Sequence, residues 1–283
     1  MSAPVAGTGR AGSTGIALVP TVARIPADRA RSLHRWNVVL GALHLVQFIA
    51  MMALSFAKDP IVTAPVSSSY LTFDQVAKTL DQAERHLFDL PIGPAVALFF
   101  LASAIAHFSV AFPLRGWYER SLARSQNPVR WIEYAISSSI MIVVIATLSG
   151  IQDIGALIAI FGANASMNLF GWSMEAANEG RPKVQWLHYI FGCFAGAIPW
   201  VVIFIALWSA ATAPGAAGIP GFVIAIFISL FVSFNVFAAN MVLQYKKLGR
   251  WADYLYGERA YMLLSLIAKT LLAWQVFSGT LRP

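Results

Sequence analysis

The chain has 283 residues, of which 58% are hydrophobic and only 12% charged, with a mean hydropathy of +0.66. That is too little charge to cover the surface of a water-soluble domain, and it excludes an ordinary soluble globular fold. The formal net charge of +7 is read as basic loops beside membrane spans and not as a nucleic-acid-binding surface.

Residues 1–30 are rich in Ala, Gly, Thr, Ser and Pro, carry scattered arginines and lack the apolar core of a signal peptide. They are expected to form a disordered cytoplasmic tail. Apolar segments follow at about 36–57, 93–112, 129–150, 155–174, 185–208, 219–244 and 260–281. Each reaches the ~20 residues that a helix needs to cross a bilayer core. They are apolar all round and too long for strands, which excludes a β-barrel. The boundary at "GIQDIG" (Gly150–Gly155) is the shortest, and fusing its neighbours would produce an implausibly long helix. The first segment, starting near Trp36, is read as a signal anchor.

The loop at about 58–92 is the only long one and has five acids against three bases. It is expected to be a structured extracellular cap. Its "SSSYLTF" (Ser67–Phe73) predicts a short strand, and "DQVAKTLDQAERHLFDL" (Asp74–Leu90) predicts a short helix. Lys and Arg are distributed unevenly: fifteen fall on the side of the N-terminus and four on the other, and Lys269 lies within a span. The positive-inside rule then places the N-terminus in the cytoplasm and the C-terminus outside. The expected fold is therefore an all-α, seven-transmembrane-helix bundle, a multi-pass protein of the cell membrane. A single cysteine, Cys193, excludes an intrachain disulfide.

Lys269, in "YMLLSLIAKTLLAWQVF" (Tyr261–Phe277), is the only base well inside an apolar segment, and Glu133, in "RWIEYAISSSIMIVV", is the only acid clearly inside one. A charge in a bilayer is costly and calls for a partner. Both segments enter from the same side. With a rise of ~1.5 Å per residue, Glu133 lies roughly 6–10 Å deep and Lys269 about 15 Å deep. Helical side chains lean toward the N-terminus, so the long lysine chain reaches back to the level of Glu133. A plain ion pair stapling two helices is the simplest reading.

His44, His107, Ser103 and Ser265 are expected at a comparable depth. Two histidines level with a Lys–Glu pair suit a proton-accepting pocket, because histidine titrates in the working pH range. A desolvated lysine opposite a carboxylate can condense with an aldehyde to form a Schiff base. Met141, Met167, Phe231, Phe234, Trp200 and Trp274 offer polarizable or aromatic walls for a long conjugated ligand.

Seven helices with a lysine in the middle of the seventh resemble a retinal-binding rhodopsin. More specifically, "RWIEYAISSSIMI" (Arg130–Ile142), "FGANASMNLFGW" (Phe161–Trp172) and "ERAYMLLSLIAKTLLAWQVFSGTL" (Glu258–Leu281) resemble the heliorhodopsin family, whose inverted orientation agrees with the charge bias. The resemblance implies that Lys269 holds all-trans retinal as a protonated Schiff base and that Glu133 is its counterion. Ser103, Ser265, His44 and His107 then match the polar cluster around the Schiff base, with bound water. Tyr134, Ser138, Met141, Asn164, Met167 and Phe234 match positions that line or adjoin the chromophore.

The resemblance also implies a homodimer, for which the Gly192–Gly196 pair in "GCFAG" suits close helix contact as well as it suits internal packing. The function implied is light sensing, with proton release to the internal cluster and an unidentified cytoplasmic or membrane signalling partner. The alternative is light-driven or light-gated ion transport. Against it, the position one turn before the lysine, an aspartate in pumps that resemble bacteriorhodopsin, is Ser265 here. No acid occurs from Ala135 through Gly150, so staged proton carriers are missing. No H-E-x-x-H or G-x-S-x-G motif points to an enzyme, and no metal site is expected.

Overall fold

The computed structural model describes residues 24–57, 60–215, 218–219 and 221–280. The expected tail therefore lies outside the described residues through position 23. Its last positions, from Ala27, already belong to the first helix.

The elements run α1 (Ala27–Phe56), β1 (Thr63–Phe73), β2 (Leu80–Pro91), α2 (Ile92–Ala111), α3 (Arg115–Ala123), α4 (Pro128–Leu148), α5 (Ile154–Asn178), α6 (Leu187–Thr212), α7 (Gly221–Tyr245) and α8 (Tyr254–Thr280), with a 3-10 turn at Gly249–Ala252 before the last helix. Among the described residues, seven helices are long and apolar enough to cross a membrane, namely α1, α2 and α4 to α8. Helix α3 is a short amphipathic segment that hydrophobic patterning did not single out.

The boundary at Gly150–Gly155 separates two helices. Gly150 adopts φ +92°, a left-handed turn that favours glycine. The Asp153 side chain then caps α5 by accepting the Ala156 N–H at 3.0 Å. Helix α4 begins with Pro128 in its first turn and with the Asn127 side chain accepting the Arg130 N–H at 3.1 Å.

The long loop is a β-hairpin, and the helix expected over Asp74–Leu90 does not form. The Asp74 carboxylate accepts the Val76 and Ala77 N–H groups at 2.7 and 2.9 Å, and Lys78 takes φ 56°. This turn folds Leu80–Pro91 back against Thr63–Phe73 in an antiparallel register, with a bulge between Val66 and Ser67. Pairing with a Ser- and Thr-rich strand overrides the helical preference of the local sequence. The hairpin is tied to the bundle by Ser67 N–H donating to the Gln152 carbonyl at 2.9 Å and Ser69 N–H donating to the Asp153 carboxylate at 2.9 Å.

Within the bundle α4 packs on α2 and α5, and α5 in turn on α6. Helices in lipid associate through close packing of small residues more than through a hydrophobic driving force. A Cβ on Gly171 would lie 2.3 Å from the Trp131 ring, and one on Gly196 would lie 2.3 Å from Met167 Sδ. The Gly192–Gly196 pair of α6 thus packs against α5 of its own chain, which resolves that pair in favour of internal packing. The largest apolar core cluster, including Phe99, Ile142, Ile145, Ile203 and Leu272, fills the half of the bundle toward the hairpin.

Candidate functional site

Lys269 from α8 and Glu133 from α4 meet inside the bundle. Lys269 Nζ donates to Glu133 Oε1 at 2.8 Å and to Ser265 Oγ, one turn earlier on the same face, at 2.8 Å. Ser103 of α2 donates to the same Glu133 oxygen at 2.7 Å. The two charged side chains are 3% and 8% exposed. Lys269 Nζ also lies 5.3 Å from the centroid of the Tyr134 ring. Such a pair contributes little net stability, yet losing one partner strands a buried charge.

A largely apolar cavity of about 260 Å³ starts at Lys269 and runs between α4, α5, α6, α7 and α8. Tyr134, Ser138, Met141, Met167, Phe231 and Phe234 all face it, as does Trp200. Trp200 makes edge-on contacts with Phe231 and Phe234 at 5.3 and 5.4 Å. Asn164 lies one layer behind the wall and donates to Ser138 Oγ at 2.7 Å and Ser139 Oγ at 3.0 Å. Trp274 does not join the wall. It is exposed on the outer side of α8, where its ring packs on Phe277. Its spacing of five residues from Lys269 turns it away from the cavity.

The histidines sit on the other side of Glu133, between α1 and α2. Their rings stack nearly parallel, with centroids 5.6 Å apart. His107 Nδ1 is 2.8 Å from Asn37 Oδ1. A second, smaller cavity of about 40 Å³ is bordered by His107, Asn37, Glu133, Tyr118, Ser265 and Glu258.

Two carboxylates escaped the reading of Glu133 as the only acid inside a span. Glu175 and Glu258 are buried because α5 extends to Asn178 and α8 starts at Tyr254, beyond the apolar limits drawn from hydropathy. Both pair with the buried Arg130, Glu175 at 2.5 Å. The Arg130 guanidinium also lies over the Trp131 and Tyr261 rings, at 4.4 and 4.1 Å. Glu175 further accepts Trp131 Nε1–H at 2.7 Å, the Asn127 N–H at 2.8 Å and the Tyr254 hydroxyl at 3.1 Å. The signal available in the sequence was that Arg130 and Glu133 are three residues apart on one helix, so the arginine had to follow its neighbour inward.

The heliorhodopsin family profile matches residues 33–281 of the chain. The chain belongs to the heliorhodopsin family. Among solved structures it is similar to one described as a light-driven proton pump from Leptosphaeria maculans. The TM-score is 0.61 at 15% identity, covering 91% of this chain and 96% of that one. At that identity the likeness shows a shared rhodopsin fold alone. The curated proteins contain no match.

As a heliorhodopsin the chain is a multi-pass retinal protein, and its residues fit that cofactor. A primary amine beside a carboxylate stands at one end of an elongated, aromatic-walled cavity. Among the described residues no group of three or more His, Cys, Asp or Glu side chains could hold a metal ion.

Proposed function

We propose that this heliorhodopsin is a light sensor in which Lys269 Nζ binds all-trans retinal and Glu133 is the counterion. The observation that carries the reading is the 2.8 Å contact between Lys269 Nζ and Glu133 Oε1 at the end of the cavity. Retinal, when bound, would supply visible absorption and a light-driven isomerization. Met141, Met167, Trp200 and Phe234 confine the ligand with polarizable and aromatic walls. Ser103 and Ser265 orient Glu133 and Nζ respectively, each with a hydroxyl. His107 and His44 stand behind Glu133 as acceptors for a proton lost from Nζ.

Signalling is favoured over transport by the absence of acids between Ala135 and Gly150 and by the apolar packing of the hairpin half around Phe99, Ile142 and Leu272. A vectorial relay needs staged carriers on both sides of the site. The bias of basic residues, fifteen against four, supports a cytoplasmic N-terminus and an extracellular hairpin in the cell membrane. A homodimer and an unidentified signalling partner complete the reading by resemblance to the family.

The test is an absorption spectrum of the purified protein loaded with all-trans retinal, followed by hydroxylamine under illumination. A visible band that bleaches is expected. No band in folded protein would reduce the Lys269–Glu133 contact to a structural ion pair.

A further inference from the structure

Asn37 lies on α1 seven residues before His44, on the same face, and is 1% exposed. Its side-chain amide is held by Asn37 Nδ2 donating to the Leu33 carbonyl at 2.9 Å. A carbonyl only accepts, so the amide NH₂ points there and Oδ1 is the atom left facing His107 Nδ1 at 2.8 Å. That oxygen is also only an acceptor, so the hydrogen in this contact belongs to His107 Nδ1. A neutral imidazole carries a single N–H, which leaves the lone pair of His107 on Nε2.

The surroundings of the ring decide what that lone pair is for. His107 borders the cavity of about 40 Å³ together with Glu133 and Arg130 of α4, Glu258 and Ser265 of α8, and Tyr118 of α3. A volume of that size has room for one water, whose share of the liquid is about 30 Å³. His44 covers one ring face of His107, and Lys269 lies on the far side of Glu133.

We propose that Asn37 is a positioning residue that locks His107 in the Nδ1–H tautomer and thereby keeps Nε2 as the base for the Lys269 site. In the step that follows, an N–H bond at Lys269 Nζ breaks and its electron pair stays on Nζ. The proton forms a new N–H bond at His107 Nε2, directly or across one cavity water. The imidazolium then donates from both nitrogens, and its Nδ1–H stays on Asn37 Oδ1 throughout. The tautomer lock stands on the protein's own hydrogen bonds, and the proton-transfer half rests on the retinal reading above.

Solid-state ¹⁵N NMR of histidine-labelled full-length protein in phospholipid vesicles tests the lock without retinal, with His107→Gln assigning the signal. The expected spectrum has Nδ1 protonated and Nε2 bare. In Asn37→Ala the other tautomer should rise to half of the population or more, and Asn37→Asp, which keeps an acceptor oxygen, should restore the original pattern. An Nε2–H signal in the unsubstituted protein overturns the proposal even if Asn37→Ala does not fold, and so does an unchanged pattern in folded Asn37→Ala.

With retinal, Asn37→Ala should keep the dark visible band and slow the light-induced proton loss by about twofold or more, in proportion to the share of His107 that no longer keeps its lone pair on Nε2, again with rescue by Asn37→Asp. Unchanged kinetics in Asn37→Ala would remove the catalytic half. Absence of a visible band in the unsubstituted protein would overturn the retinal reading and the proton-transfer half together, while the NMR result would still decide the lock.

Discussion

Lys269 Nζ donates to Glu133 Oε1 at 2.8 Å across 136 residues of chain, and both ends of the contact are shut away from solvent. Lys269→Ala is therefore expected to abolish pigment formation and also to destabilise the ligand-free protein by about 3–5 kcal/mol, because Glu133 is left as an uncompensated buried charge. Thermal unfolding of ligand-free Lys269→Met, Glu133→Gln and the double variant should show strong non-additivity, the double costing less than the sum. Additive losses would mean that the two groups do not interact.

Glu133→Gln in retinal-loaded protein should move the visible band, since the charge nearest Nζ is removed while the side-chain shape is kept. An unchanged absorption maximum would take Glu133 out of the counterion role.

The Arg130 guanidinium holds two carboxylates and lies over two aromatic rings, a geometry that a compact ammonium cannot reproduce. Arg130→Lys should therefore behave as a disruptive change and destabilise by roughly 3 kcal/mol, in the range for a broken buried pair. Chemical or thermal unfolding in a fixed detergent is the measurement, and wild-type stability in Arg130→Lys would contradict it.

Gly171→Ala places a Cβ 2.3 Å from the Trp131 ring, a stiff group that both faces the large cavity and donates to Glu175. A cost of about 1–3 kcal/mol is expected from the overpacking, with a lower yield of pigment. Gly196→Ala meets the flexible end of Met167 at a similar distance and should cost less. Comparing retinal uptake and melting temperature of the two variants checks the order.

At the hairpin, the Ser69 and Ala156 backbone N–H groups hold the Asp153 carboxyl below the usual carboxylate range. A carboxyl with a depressed folded value stabilises the tether at every pH above its unfolded value of ~3.9, and the contribution disappears as pH falls through the folded value. Hydrogen exchange at Ser69 should thus be slow and insensitive to this group from neutral pH down to about 4, after correction for intrinsic exchange. Protection should be lost only in stronger acid. Asp153→Ala should lose it at neutral pH.

Seven spans and the partnership of Lys269 with Glu133 were legible in the sequence, whereas α1 begins nine residues and α8 six residues ahead of the apolar limits expected at 36 and 260. Hydrophobic length reports bilayer thickness directly, and a lone intramembrane cation demands a counter-charge. Three features were decided only by tertiary structure. The segment Asp74–Leu90 carries helix-forming residues, yet the Asp74 turn and the facing strand supply its backbone partners as a hairpin.

Glu175 and Glu258 fall just outside the apolar segments expected at 155–174 and 260–281. The Arg130 guanidinium and the helix extensions draw them inside, an effect that depends on which helices are neighbours and not on local hydropathy. Asn37 was not among the residues that the sequence singled out. Only the placement of α1 beside α2 brings its carbonyl oxygen onto His107 Nδ1 and so decides which nitrogen keeps the lone pair. Composition and spacing fix what each helix must bury, whereas the choice of hydrogen-bond partner across helices is a property of their packing.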